Sequence, residues 1–334
     1  MIPILAISIG DFNGIGPEVA LKSLIHSDIK KRARVVLLGH NSIISYYQKV
    51  IGKKVSIEEI HSMDDVPEKA GVYQISLGTD IPKINPGSYS LQSGKLSMQA
   101  VSYGARACLT GTANALITAP ISKEAIQKAG YYVPGHTEFL AEICGNPEVL
   151  MMLVNPDMNL RVVPFTIHIP LKDVASKINS ENLLKQLALL KVCLQNDFQI
   201  DSPKIAVLGL NPHAGDGGVL GTEEIEKIIP ALRAAQDNQI NASGPYPADA
   251  FFANKMYEKC DAVVSMYHDQ GLIPFKTLSF GAGVNFTGGL PIIRTSPDHG
   301  TAFGIAGNNQ ADHRSFSQAL DMAYDLSLKR ANGN

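Results

Sequence analysis

Short apolar runs alternate with longer segments of helical pattern along this chain, which predicts βαβ units and a mostly parallel sheet. The runs that read as strands are 4–9, 34–38, 115–118, 162–167, 205–208 and 262–266. Segments 17–27, 93–110, 122–129, 180–196, 222–235 and 248–259 read as helices, with 315–329 as a closing helix before a short polar tail. Thr222 is placed to cap its helix, and Glu223 and Glu224 sit in the first turn, where carboxylates favour the positive helix end. Residues 271–307 break the pattern. Glycine and proline are dense there, with turns at Gly281-Ala-Gly283 and Thr287-Gly-Gly289, so the stretch reads as a loop-rich binding surface.

Composition narrows the class without naming it. A chain of 334 residues, 45% hydrophobic and 18% charged, can bury a large core as one large or two medium domains. The formal charge of −2 gives no long-range pull toward nucleic acid or an anionic membrane, so an anionic substrate must be held by a local site. Cys108, Cys144, Cys193 and Cys260 form no C-x-x-C pair, which argues against a zinc ribbon and fits a reducing compartment. The apolar stretch Met1–Gly10 has no basic leader and is too short to span a membrane; it reads as a buried first strand. A cytoplasmic location is expected.

The chemistry-bearing residues fall at the ends of the strand-like runs. His168, His213 and His268 each follow one, and the carboxyl ends of parallel strands converge on one sheet edge, where ligands bind. Each alone reads as a loop histidine. Three in one context favour a divalent-metal site with positions left open for substrate. The first loop, Gly10-Asp-Phe-Asn-Gly-Ile-Gly-Pro-Glu18, lacks the G-x-G-x-x-G spacing and a P-loop lysine, so it reads as a tight strand-to-helix turn or a cleft wall. Ser122-Lys123 reads as a capped helix start or an anion seat, and His136-Thr137 as an N-cap or, with two hydrogen-bonding side chains at a helix start, an anion site. Asp249 is a dipole partner or a group for metal or substrate amine. Lys276, Asn285 and Arg294 together supply two positive charges and an amide, suited to phosphate or carboxylate. The small residues of Pro297-Asp-His-Gly-Thr-Ala-Phe-Gly-Ile-Ala-Gly307 suit a backbone wrapped around an adenine and ribose, or an ordinary turn.

Taken together, these motifs resemble the 4-hydroxythreonine-4-phosphate dehydrogenase family of pyridoxal phosphate biosynthesis. The resemblance rests on Pro134-Gly-His-Thr-Glu138, Asn211-Pro-His-Ala-Gly-Asp216, Tyr267-His-Asp-Gln-Gly271 and Val284-Asn-Phe-Thr-Gly-Gly-Leu-Pro291, and it covers nearly the whole chain. Asp298-His-Gly-Thr-Ala302 also resembles the adenine loop of isocitrate and isopropylmalate dehydrogenases. The chain departs from the family's usual Asp-Pro-Ala in the first loop, with Asp11-Phe-Asn13.

The resemblance implies an α/β fold of two α/β/α subdomains with an active-site cleft between them, isocitrate/isopropylmalate dehydrogenase-like and not Rossmann. Residues 1–130 with 275–334 would form the nucleotide-binding subdomain, and 131–274 the metal, substrate and dimerisation subdomain. It further implies a homodimer whose active sites are completed by the second subunit. His168, His213 and His268 match the metal ligands; His136, Thr137, Lys276, Asn285 and Arg294 match the substrate-binding positions. Gly289, His299, Gly300, Thr301 and Ala302 are the candidates for NAD or NADP, and Lys276 and Asp249 for catalysis.

The implied reaction oxidises the C3 hydroxyl of 4-phosphooxy-L-threonine to 2-amino-3-oxo-4-phosphooxybutanoate. That product decarboxylates to 3-amino-2-oxopropyl phosphate. One divalent metal per site (Zn2+, Mg2+ or Co2+) would serve both steps. Two alternatives stay open. One is a paralogous dehydrogenase of 4-phosphothreonate or 4-phosphoerythronate; the other is a non-catalytic metal- or phosphosugar-binding protein. Neither nucleic acid nor membrane is an expected partner.

Overall fold

The computed structural model of the chain describes residues 2–332. Twelve strands are formed among the described residues: β1 Ile4–Ser8, β2 Arg34–Leu38, β3 Glu58–Ile60, β4 Gly71–Ile75, β5 Ala115–Thr118, β6 Leu150–Asn155, β7 Leu160–Pro164, β8 Ile205–Leu208, β9 Ala242–Tyr246, β10 Ala262–Ser265, β11 Val284–Gly288 and β12 Ile293–Pro297. Helices alternate with them, as the apolar pattern implies. The chain divides into two compact units, Met1–Pro147 with Leu290–Asn332, and Glu148–Gly289.

In the first unit the strands run in the order β3-β4-β2-β1-β5-β12, every neighbouring pair parallel. This is not the 3-2-1-4-5-6 order of the dinucleotide-binding fold. Parallel strands are covered on both faces and so read as continuous apolar runs. Leu5, Ala6 and Ile7 of β1 and Val35–Leu38 of β2 are accordingly fully buried. Gly16–His26 packs against Asn41–Ile51 and the terminal helix Arg314–Asn332, and the terminal helix also covers β12. The helix Leu91–Leu109 is drawn close to the short helix Lys123–Lys128 by Gly94: a Cβ there would run into the Ala125 carbonyl.

The second unit has the order β11-β6-β7-β10-β8-β9. Here β11, β6 and β7 are antiparallel, while β7, β10, β8 and β9 are parallel. Leu153, Leu160, Val162, Leu208, Val263, Leu272 and Phe275 form its core. The helices Ser180–Asn196 and Ile229–Asp237 pack on each other.

Three expectations are corrected. Residues 271–307 are largely regular: the helix His268–Ser279 runs into them, followed by β11 and β12. Gly271 signals close packing inside that helix, since a Cβ would sit 2.7 Å from Val162 Cγ1. The segment expected as one helix over 222–235 opens as a π-helical turn, Glu224–Ile228, with no side-chain cap, and only then becomes α-helical. The segment 248–259 is split at Lys255, whose φ of 53° ends the helix Ala248–Ala253.

Candidate active site

In the first unit a buried arginine side chain reaches the carboxyl end of the neighbouring strand. Arg294, second residue of β12, is 2% exposed. Its Nε and Nη2 donate to Thr118 Oγ1, the last residue of β5, at 3.1 and 2.7 Å. Burial lowers the guanidinium to about 10, opposed by Glu138, so it keeps its charge at neutral pH. His136 opens the helix His136–Ile143 behind Gly135, which supplies no side-chain cap. Thr137 lies inside the first turn and is not the cap. Burial, then the Arg294 charge, holds His136 well below its usual range, so the ring is neutral. Its Nε2 is buried without a hydrogen-bond partner. A fixed cation beside an orphaned imidazole nitrogen suits a phosphate or carboxylate oxygen.

Ser122 resolves to the plainer of its two readings. Its Oγ accepts from Ala125 N at 3.1 Å and caps the helix, and Lys123 is exposed. The first loop is a structural knot. Fully buried Asp11 accepts from Asn13 N through Oδ1 and from Ser93 Oγ through Oδ2, both at 3.0 Å. Tyr47 Oη donates to the carbonyls of Phe12 and Gly14 at 2.8 and 3.0 Å. The knot supports the segment expected to hold nucleotide, because Ile15 N donates to Thr301 O at 2.9 Å.

That segment has two features that suit close approach of a bound group. A Cβ added at Gly300 or Gly304 would meet nothing within 4 Å, so the chain itself does not demand glycine there. His299 Nε2 is buried without a partner, while its Nδ1 faces Gly300 O at 3.1 Å. Ala302 takes a φ of 42°. Gly289 has an internal reason instead: at φ +88°, a Cβ would collide with the Glu148 carbonyl.

In the second unit, Phe165 N donates to Ser265 O at 2.7 Å, and Thr166 Oγ1 to Met266 O at 2.7 Å. These bonds extend the pairing of β7 with β10 past its last ladder residue and bring His168 to His268, ring centroids 5.8 Å apart. Both line a cavity of about 320 Å³ with Thr166, Ile167, Tyr267 and Asp269. His268 Nδ1 lies 2.6 Å from Asp269 Oδ1. A carboxylate on one ring nitrogen orients the other toward a metal, the usual support for a histidine ligand. Gln270 fastens the neighbouring strand ends, accepting from Met266 N and donating to Gly209 O, both at 2.7 Å.

His213 sits apart, on a run in which His213, Ala214, Gly215, Asp216 and Gly217 all have positive φ. Among the described residues no three His, Cys, Asp or Glu side chains gather into one group able to hold a metal. Asp249 is exposed in the first turn of Ala248–Ala253. Lys276 is exposed in the last turn of His268–Ser279, not in a loop. Asn285 lies on β11, its Oδ1 buried without a hydrogen-bond partner. Sequence reasoning missed Thr118 and Gln270, and it read Glu224 only as a helix-dipole partner.

Fold and geometry define an α/β protein with a buried arginine held on Thr118 and paired histidines at strand ends. The chain belongs to the pyridoxal phosphate biosynthetic protein PdxA family, whose model matches residues 31–323. It is 44% identical over 332 residues to the 4-hydroxythreonine-4-phosphate dehydrogenase of Prosthecochloris aestuarii, covering 97% of each chain. A solved 4-hydroxythreonine-4-phosphate dehydrogenase from Klebsiella pneumoniae superposes with a TM-score of 0.88 at 34% identity, covering 97% of this chain and 99% of that one. One from Burkholderia phymatum gives 0.83 at 38%, covering 98% of each. The family resemblance and the α/β fold expected from the motifs are thereby borne out. No helix among the described residues is long and apolar enough to cross a membrane.

Proposed function

We propose that the protein is a 4-hydroxythreonine-4-phosphate dehydrogenase, oxidising 4-phosphooxy-L-threonine to a 3-oxo acid that decarboxylates to 3-amino-2-oxopropyl phosphate. Within the chain, the observation that carries this reading is Arg294: a buried cation held on Thr118 beside a neutral His136, in a molecule whose net charge is −2. That seat, with Thr137, takes the phosphate.

The nicotinamide cofactor, NAD or NADP, accepts the hydride. Open space at Gly300 and Gly304 and the orphaned His299 Nε2 fit its adenosine half, with Thr301 and Ala302 supplying backbone. Gly289 keeps the chain close to Glu148 at the edge of the same reading. His168, His213 and His268 are the residues that would hold a divalent cation of the Zn2+, Mg2+ or Co2+ kind, since imidazole nitrogens suit such ions; within one chain the described residues bring His168 and His268 together but do not gather all three. Such a cation, when bound, would supply Lewis acidity to the substrate oxygen during oxidation and decarboxylation.

Lys276 takes the hydroxyl proton as hydride leaves and returns one to the carbon that loses CO2. Asn285 and Asp249 orient the amino-acid end. In one chain Lys276 stands eight residues beyond His268, about 12 Å along the helix axis. A homodimer in which each site draws residues from both subunits would let groups separated in one chain meet in one site.

Purified protein is assayed with 4-phosphooxy-L-threonine and with 4-phosphothreonate, each with NAD and NADP. Reduction of nucleotide with the amino substrate at a kcat/KM at least about tenfold higher is expected, since an amine-binding site left unpaired costs affinity. A preference for 4-phosphothreonate would reassign the substrate to the hydroxy acid.

A further inference from the structure

We propose that Glu224 is a positioning residue that holds the loop carrying His213 in its left-handed conformation and so fixes where this candidate metal ligand is presented. This rests on the reading of His213 as a ligand. The run from His213 to Gly217 is left-handed at five successive positions, with φ of 54°, 51°, 82°, 44° and 65°. For the non-glycine residues His213, Ala214 and Asp216 this conformation is strained, because the Cβ is crowded against the following carbonyl oxygen. A free loop would abandon it, so something in the fold must hold it.

Glu224, 1% exposed, meets that need. Its Oε1 accepts from Leu210 N at 2.7 Å and from Asn211 N at 2.8 Å. Its Oε2 accepts from Asn211 Nδ2 at 2.9 Å, and the same amide donates to Glu223 Oε2 at 2.8 Å. The loop is thus pinned at Asn211, two residues before His213. The far side of the loop closes on the same side chain: a Cβ at Gly215 would stand 2.7 Å from Glu224 Oε2, and one at Gly209 would stand 2.9 Å from Ala214 Cα. Ala214 N also donates to Asn211 O at 3.1 Å. Loop backbone, Asn211 and Glu224 therefore form one closed arrangement, and His213, exposed, lies on the same loop. The carboxyl group takes no part in the chemistry; it decides where His213 points.

The test uses the full-length protein and Co2+ as probe, read by visible absorption, with far-ultraviolet circular dichroism as the fold control. Glu224→Ala removes all three acceptor contacts and is expected to weaken Co2+ binding about tenfold or more, the usual cost of losing an outer partner of a ligand. Glu224→Gln keeps an oxygen for the two backbone N–H groups but sets an amide against Asn211 Nδ2; about a threefold loss is expected. Should the alanine variant fail to fold, the glutamine variant decides. Saturating Co2+ is expected to restore most of kcat in both, as a role in positioning requires. Co2+ affinities within twofold of the parent in both variants, alongside loss of binding in His213→Ala, would overturn the positioning role alone. Undiminished binding in His213→Ala would remove the ligand reading and this proposal with it.

Discussion

Arg294 is a buried cation in a molecule whose formal net charge is −2. The guanidinium is buried, aimed by Thr118, and still charged after burial lowers it to about 10. Arg294→Ala is expected to raise KM for the phosphorylated substrate by about tenfold or more, roughly 1.4 kcal/mol, the scale of a charge-assisted hydrogen bond. Steady-state kinetics checks it, and an unchanged KM would move the phosphate elsewhere. Arg294 was legible as a candidate because a net charge of −2 forces phosphate recognition onto local cations. Its anchor, Thr118, was not. A threonine ending an apolar strand carries no signal until the pairing of β5 with β12 brings it beside Arg294. Glu224 was misjudged for the same reason. First-turn glutamates usually serve the helix dipole, and only the fold shows this one turned back onto the loop at 210–211.

Between elements, Asp11 ties the first loop to the helix Leu91–Leu109 through Ser93, at the cost of a carboxyl buried from water. Burial raises it from 3.8 to about 6 against the opposing bonds from Asn13 N and Ser93. The native state therefore holds this proton more tightly than the unfolded chain, and its stabilising contribution, complete below pH 3.8, is lost as pH rises through about 6. The shift corresponds to at most about 3 kcal/mol. Asp11→Asn is thus expected to raise Tm relative to the parent more at pH 8 than at pH 4, as thermal melts would record; an offset independent of pH would mean the carboxyl is not strained. At this scale the sequence was read unevenly. Strands β1, β2, β5, β8 and β10 are apolar runs and were found. The strands β9, β11 and β12 and the helix from His268 were missed or called loop, because Gly244, Pro245, Gly271, Pro274, Gly288 and Pro297 sit inside them. Those glycines mark close contacts, as at Gly271 against Val162 and Gly288 against Cys193 and Leu150, and local propensity cannot distinguish that from a turn.

For the whole molecule, the proposed reaction is a single oxidative decarboxylation, with Arg294 expected at the phosphate, residues 297–307 at the nucleotide and the three histidines as metal donors. The family match spans residues 31–323, and the motifs that carried the resemblance lie within it. The grouping of His168 with His268 follows from strand order, whereas the position of His213 depends on a loop conformation that no motif reports. The most direct measurement follows both products at once. The protein is incubated with NAD or NADP and 4-phosphooxy-L-threonine carrying 13C in its carboxylate, and reduced nucleotide and labelled CO2 are counted together. The account expects the two in equal amounts, both abolished by exhaustive chelation and restored by added Zn2+, Mg2+ or Co2+. Reduced nucleotide without CO2, or turnover that survives chelation, would contradict it.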